Sequence, residues 1–377
     1  MLAFLLTWLL LAIYSFTRRD LNLILYNFFP YSKFWHQARE FLTQLGYYQR
    51  PLATLIFFIF LLILIFLYFK LIHQKLLPSQ SWLKWFIPIS LIGIISYPMF
   101  SHDIFNYLFN AKMVLIYKAN PHIHAAIEFP RDLMLRFMHN VHTPAPYAYG
   151  WTAISLLPGL AWLTQKLTFS FWTMKLFIAI FWLAQLWILH KLVKKLFPQQ
   201  PWRWWLFALS PLVLIETLII GHNDVVMMFP ALLSFWFLLK SKKLFDKPWL
   251  LSLFLLLISA SVKYATIILL PLYFLKPRLK KINLPTLSAL LLFSIMFTRP
   301  DQMHSWYFIW AFSFAVLSKS RQFVAIFTAL SFGAILRYLP YIYYGNWNPP
   351  IHLYRQLIWI ASLLLAPWIY RLLSDKR

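Results

Sequence analysis

Pro51–Tyr68 reads PLATLIFFIFLLILIFLY, eighteen residues without a charge. A helix crossing a bilayer needs roughly 20 predominantly apolar residues, fewer where the protein thins the membrane. Working outward, Trp85–Phe100 and Ile282–Phe297 repeat the pattern, and Met1–Phe16 opens the chain with another apolar run. One or two such runs fit a buried core, but their recurrence along the whole chain fits only a membrane protein. In lipid the backbone must satisfy its own hydrogen bonds, which leaves helices or a closed barrel. The runs are continuous and rich in Leu, Ile and Phe, without the alternation of barrel strands. The expectation is an all-α polytopic transmembrane bundle forming one integral membrane domain over residues 1–377, with about 11–12 hydrophobic helices counted near span length. Met1–Phe16 has no basic segment before it and no small-residue cleavage site after it, so it reads as a retained first span.

The composition agrees. Hydrophobic residues make up 61% of the 377 and charged residues 12%, about half the charged share of soluble domains. The formal charge of +25 does not point to nucleic acid, because the basic residues gather in short loops between apolar runs. Anionic membrane lipids account for the surplus. The chain has no cysteine, which excludes thiolate metal sites, disulfides and Cys nucleophiles. With 7 glycines and no phosphate-cradling Gly-rich loop, nucleotide-sugar chemistry is disfavoured.

The basic clusters are Lys70–Lys75, Lys191–Lys195, Lys240–Lys247, Lys276–Lys281, Lys319–Arg321 and Arg371–Arg377. If they face the cytoplasm, the outer loops are His102–Gly150, Gly221–Asp224, Ser261–Lys263, Thr298–Ser305 and Pro340–His352. Two places resist this count. Trp151–Leu163, with its internal Pro158-Gly159, must be shallow or a half-helix, and Arg18 and Arg19 fall on the outer side. In the outer loop of residues 101–150, Phe105, Leu108, Phe109, Met113 and Ile116 have helical spacing after Ser101-His102-Asp103, an N-cap sequence. This segment reads as an interfacial helix. Asn120-Pro121 and Thr143–Tyr147 read as turns.

Acidic residues number only 10, so each carries information. Asp103, Asp224, Asp301 and, less directly, Glu216 sit at boundaries on the expected outer face, alongside His102, His222 and His304. A carboxylate near hydrocarbon is costly without a partner or a role. Asp103 is either a helix cap or a general base. Gly221-His222-Asn223-Asp224 is either a tight helix connection or a polar turn binding sugar hydroxyls, a phosphate or a metal. Lys263, between two short apolar runs, either snorkels, pairs with a carboxylate or binds an anionic ligand. Arg299 and His304 flank Asp301 and are candidates for the same anion. Trp202, Trp204 and Trp205 beside a basic loop read as an interfacial belt, and Trp306, Tyr307 and Trp310 as a belt or as platforms for a sugar ring.

In order along the chain, these elements resemble the GT-C glycosyltransferases. Ser101–Tyr107 is similar to the opening of their first large outer loop, Lys118-Ala119-Asn120-Pro121-His122 to their Asn-Pro element, and Thr143–Gly150 to the Tyr element before the next helix. Gly221–Asp224 resembles a polar turn of the family, Lys263 falls where the family has a Lys, and His304–Tyr307 resembles a later Trp-Tyr segment. Lys118 and His122 depart from the family's Gly and Tyr. The nearest likeness is to polyprenol-phosphate-mannose-dependent mannosyltransferases of bacterial envelopes, with the ER mannosyltransferase of glycosylphosphatidylinositol precursors more distant.

The resemblance implies a multi-pass cell-membrane enzyme with an extracytoplasmic site. It would move a hexose, mannose foremost, from a polyprenyl-phosphate donor to a hydroxyl of a lipid or glycan acceptor, with inversion. Asp103 would be the base, oriented by His102 or His304. Lys263 and Arg299 would stabilise the leaving phosphate. Tyr107, Asn120, Tyr147, His222, Asn223, Asp224, Trp306 and Tyr307 would contribute to substrate binding. A divalent metal is optional, because these cations can neutralise the leaving group. The competing readings are a transporter or flippase of lipid-linked sugars, which would show an internal repeat, and a non-catalytic membrane subunit.

Overall fold

The computed structural model describes residues 1–23, 33–73, 82–276, 282–298 and 303–374. Among these every regular element is helical, and there is no strand. The helices are α1 (Leu2–Ser15), α2 (Lys33–Thr43), α3 (Arg50–His73), α4 (Leu83–Ile95), α5 (Asp103–Leu115), α6 (Tyr149–Gly159), α7 (Leu167–Leu196), α8 (Trp202–Ala208) and α9 (Pro211–Leu214). They continue with α10 (Asp224–Lys240), α11 (Lys247–Val262), α12 (Leu270–Leu275), α13 (Leu284–Ser294), α14 (Phe308–Ala315), α15 (Arg321–Leu336), α16 (Tyr338–Tyr344), α17 (Ile351–Ala361) and α18 (Ala366–Ser374).

By length and composition four segments can cross a membrane: α3, α7, the α15–α16 unit and the α17–α18 unit. The bent pair α8 with Pro211–Ile220 makes a fifth, turned by 41°. Leu2–Arg18, Leu83–Ile95, Lys247–Val262, Tyr264–Leu275 and Leu284–Thr298 are shorter apolar helices. Their burial sorts the long segments. The apolar window of Arg321–Tyr344 is 78% buried, whereas those of Arg50–His73 and Ile351–Ser374 are 33% and 28% buried. The first is therefore central. The other two turn apolar faces outward, including Leu55, Ile59, Leu62 and Phe66 of α3, as lipid-facing helices do.

Between Tyr149 and Leu196 there is one long helix and one short one. The eleven-residue α6 gives way to a single 3₁₀ stretch, Leu160–Thr164, and Gln165 then takes a left-handed conformation. This is too short to span. Gly159 lets α6 approach Ala111 of α5, where a Cβ would come within 2.7 Å, and Trp162 Nε1 donates to the Leu108 carbonyl at 2.8 Å. Arg18 is also accounted for: it donates to the carbonyls of Gly46 and Ile342, satisfying backbone ends of two other helices.

One expectation is corrected. Trp202, Trp204 and Trp205 do not form a lipid-facing belt, being 6%, 2% and 5% exposed. Their rings fill the space between α4, α7 and α8: Trp205 stacks on Phe86, Trp204 packs edge-on to Trp82, and Trp204 Nε1 donates to the Leu186 carbonyl. A Pro beside a basic loop marks a helix start equally well whether the following aromatics face lipid or protein. α5 starts at Asp103 as expected. Its Ile104–Phe109 stretch is buried all round, so protein covers more of it than a helix merely lying on a surface.

Candidate active site

Asp103, Tyr147, the His222–Asp224 turn, Lys263 and Trp306 come together, and each arrives there for a local reason. Asp103 occupies the first turn of α5, but His102 is the cap residue and no side chain caps the helix. The Asp103 carboxylate is thereby free to point elsewhere. Tyr147 Oη donates to Asp103 Oδ2 at 3.2 Å, and His222 Nε2 lies 3.8 Å from the same oxygen. The loop carrying Tyr147 is pinned at both ends. Asp132 accepts hydrogen bonds from Lys112, Tyr117 Oη and the Met134 amide, and the Ala148 amide donates to the Val262 carbonyl.

His222 is held by a break in the preceding helix. Ile215–Ile220 is wound as a π-helical turn and ends at Gly221, whose φ of +86° favours glycine. A Cβ there would meet Ile104 Cδ1 at 2.9 Å. Lys175, set apart in the middle of α7 from the lysines of its last turns, donates to the carbonyls of Leu218 and Ile219 and to Ser96 Oγ at 3.3 Å. It caps the carbonyls the break leaves unpaired. The turn then presents His222 with its Nδ1 hydrogen-bonded to Glu216 Oε2 at 3.0 Å, while Glu216 Oε1 accepts from Tyr338 Oη at 2.9 Å. An ionised Glu216 accepting at both oxygens would place the His222 proton on Nδ1 and leave Nε2 facing Asp103. His222 Nε2 is buried without a hydrogen-bond partner, as are Asn223 Nδ2 and Asp224 Oδ2.

Asp224 and Lys263 form a buried pair. Lys263 Nζ donates to Asp224 Oδ1 at 2.9 Å, and Trp310 Nε1 donates to the same oxygen at 2.6 Å. Tyr107 Oη donates to Asn223 Oδ1 at 3.3 Å, and Tyr107 packs edge-on against Tyr147 and Trp151. Trp306 is sandwiched between His222 at 4.0 Å and His304 at 4.2 Å, and Tyr307 packs on Trp310 at 4.5 Å.

The electrostatics follow from this packing. Burial pushes the Asp103 carboxyl above the ordinary carboxylate range, with Lys263, Tyr147 and Ser101 opposing the shift and Asp224 adding to it. Asp103 stays reachable, its side chain one-fifth exposed. Burial, then the charges of Arg355, Arg337 and Lys263, hold the His304 imidazole down at about 3. His304 is therefore neutral at physiological pH.

Several residues lie elsewhere. His102 does not orient Asp103. Its Nδ1 donates to the Phe137 carbonyl at 2.9 Å, its Nε2 meets Tyr97 Oη at 3.0 Å, and its ring stacks on His139. Asp20, His102 and His139 bring one ligand atom each within 4.8 Å of one another, a set able to hold a metal ion. His304 reaches Asp103's neighbourhood only through Trp306 and His222. Asn120 accepts from the His122 amide at 3.0 Å within its own turn. Arg299 and Asp301 lie outside the described residues. The roles of Tyr338, Lys175, Arg337 and Arg355 were not read from the sequence. A lone Lys inside the apolar run of α7 is a signal for Lys175. The other three sit among helix-end Tyr and Arg residues that look like interfacial anchors.

The family model described as Alpha-(1->6)-mannopyranosyltransferase, N-terminal domain, matches residues 28–276. That span holds Asp103, the His222–Asp224 turn and Lys263, and it ends before His304. No curated protein and no solved structure matches the chain.

Proposed function

The chain belongs to the alpha-(1->6)-mannopyranosyltransferase family, and from that premise we propose that it moves mannose from a polyprenyl-phosphate donor to an acceptor hydroxyl on a glycan or lipid. The reaction inverts the sugar carbon, and the site opens on the extracytoplasmic face of a multi-pass cell-membrane protein. The observation that carries this reading is Asp103: a carboxylate at a helix start that does no capping, part-exposed, and faced by Tyr147 and the His222–Glu216 pair.

Asp103 takes the proton from the acceptor hydroxyl. The acceptor oxygen bonds to the sugar carbon as the bond from that carbon to the phosphate oxygen breaks, and the electron pair leaves with polyprenyl phosphate. Asp103 keeps that proton until it is lost to water, and His222, held by Glu216 with its Nε2 3.8 Å from Asp103 Oδ2, positions the carboxyl. Tyr147 sets the carboxylate's rotation. The Asp224–Lys263 pair and the rings of Trp306, Tyr307 and Trp310 shape the sugar pocket. General-base help of this kind contributes about 10²–10⁴-fold.

The test is transfer of radiolabelled mannose from polyprenyl-phosphate mannose by membranes containing the protein. Absence of transfer with this donor in the presence of a varied acceptor panel would refute the reading. Within the same assay, Glu216→Gln is expected to lower kcat by at least about tenfold, because the amide no longer dictates the His222 tautomer. Tyr338→Phe, which removes only a donor to Glu216, is expected to cost less.

The placement of the site has its own check. The chain has no cysteine, so single Cys residues report cleanly. Ile123→Cys, 67% exposed in the segment between α5 and α6, is expected to react with an impermeant maleimide on intact cells. Phe245→Cys, at the far end of α10 and 66% exposed, is expected to react only after permeabilisation. The reverse pattern would put the site on the cytoplasmic face.

A further inference from the structure

Among the described residues, two arginines beyond the stretch matched by the family model have buried guanidinium nitrogens without a carboxylate partner. Arg337 closes α15 and is 3% exposed, and its Nε and Nη1 are buried with no hydrogen-bond partner. Arg355, on α17, likewise has a buried Nε without a partner. Among the described residues neither forms an ion pair with a carboxylate, whereas Lys263 already has Asp224. Guanidinium groups do not lose their charge in proteins, so burying one without an anion is costly. The fold has positioned both with care. Gly333 lets α15 press against Trp359 and Ser362, where a Cβ would meet their side chains at 2.8 Å or less. Arg337 consequently lies over the Trp359 ring at 5.4 Å, and Arg355 lies over Trp347 at 4.2 Å. Indole faces support the flat guanidinium groups, and the unpartnered Arg337 Nε and Nη1 and Arg355 Nε are N–H groups of the kind a phosphate accepts from.

The surroundings supply a further donor, and the carboxyl whose charge Arg337 feels, Glu216, is already engaged by Tyr338 and His222. Ser305 Oγ is buried without a hydrogen-bond partner, and both arginine charges reach the His304 imidazole. The place is also connected to the chemistry. Tyr338, next in the chain after Arg337, holds Glu216, which in turn holds His222 beside Asp103. The Trp306–His304 stack separates Asp103's partner His222 from the arginine side.

We infer that Arg337 and Arg355 form an anion seat for the phosphate of a polyprenyl-phosphate ligand, on the opposite side of the Trp306–His304 stack from Asp103. The inference rests on the functional reading above for the identity of the lipid. It replaces Lys263 as the principal phosphate contact, since that ammonium is engaged by Asp224. Two fixed positive charges at this place would draw the electron pair of the leaving oxygen away from Asp103, as an inverting displacement needs. The same chemistry would suit an ordinary anionic headgroup or free phosphate, so the test separates the three.

The full chain in phosphatidylcholine nanodiscs is titrated with polyprenyl phosphate, polyprenol, phosphatidylglycerol and inorganic phosphate, with binding read by tryptophan fluorescence. Polyprenyl phosphate is expected to bind, polyprenol to bind at least about tenfold more weakly, and Arg337→Gln and Arg355→Gln each to weaken polyprenyl phosphate by about tenfold or more. Arg355→Lys is expected to retain part of the affinity. Unchanged binding in the Gln variants, or equal binding of polyprenol, would overturn the seat. Equal binding of phosphatidylglycerol or inorganic phosphate would overturn its assignment to the polyprenyl ligand. If Arg337→Gln does not fold, the part-exposed Arg355 carries the test alone. Arginine-dependent binding without mannosyl transfer in the wild type would sink the functional reading and leave the seat standing. Transfer with an unchanged KM in Arg355→Gln would do the reverse.

Discussion

Asp103→Asn is expected to reduce mannosyl transfer by about 10²–10⁴-fold while leaving the protein folded and membrane-inserted. The amide can still accept from Tyr147, so the contact at 3.2 Å is replaceable. It cannot take a proton from the acceptor. The loss should fall on kcat, because Asp103 acts on the proton in flight more than on the bound ground state. The wild type should also show a distinctive pH profile. A base works only when deprotonated, and burial raises the Asp103 carboxyl above the ordinary range. As pH falls, activity should therefore drop at a higher pH than an unperturbed aspartate would give. Tyr147→Phe removes a hydrogen bond that favours the charged carboxylate, so it should move this acid limb further upward. A profile that is flat through the acid range, or full activity in Asp103→Asn, would remove Asp103 from the mechanism.

The second large effect concerns stability. Lys263→Met leaves Asp224, whose side chain is 1% exposed, as an uncompensated buried carboxylate facing Trp310. Breaking a buried pair by removing one partner costs about 3–5 kcal/mol, a large share of the stability of a typical fold. Asp224→Asn should be similarly harmful, because it strands the ammonium. The double variant Asp224→Asn with Lys263→Met should recover much of the loss, since it removes both charges together. Thermal unfolding of the four proteins in one detergent forms the cycle. Additive losses in the double variant would mean that the two residues act independently, contrary to the 2.9 Å contact.

These expectations differ in how far they were legible beforehand. The membrane class, the helical architecture and the short character of the stretch after Gly150 follow from sequence, because lipid forces every spanning backbone to close its own hydrogen bonds and span length is a simple count. The candidate residues Asp103, His222, Asp224 and Lys263 were visible for a related reason. Polar groups are so costly near hydrocarbon that each one in a chain with 10 carboxylates stands out. Their roles were less visible. Asp103 follows Ser101-His102 in a pattern that suits a helix cap, and only the fold places His102 against Tyr97 and Phe137 instead of beside Asp103. The group facing Asp103 is His222, well over a hundred residues later.

What sequence by itself determined is thus the solvent the chain lives in and the short inventory of polar residues it can use there. What only the tertiary structure decided is pairing: which carboxylate neutralises Lys263, which histidine meets Asp103, and which cations are left with none. Arg337 and Arg355 look like membrane-edge anchors in sequence, and Trp202–Trp205 looked like a lipid belt. Helix rotation settles both, because a turn of one helix face moves a side chain between lipid and protein without changing the pattern of residues along the chain. Burial of an unpaired guanidinium and satisfaction of an indole are facts about neighbours, and neighbours are made by packing.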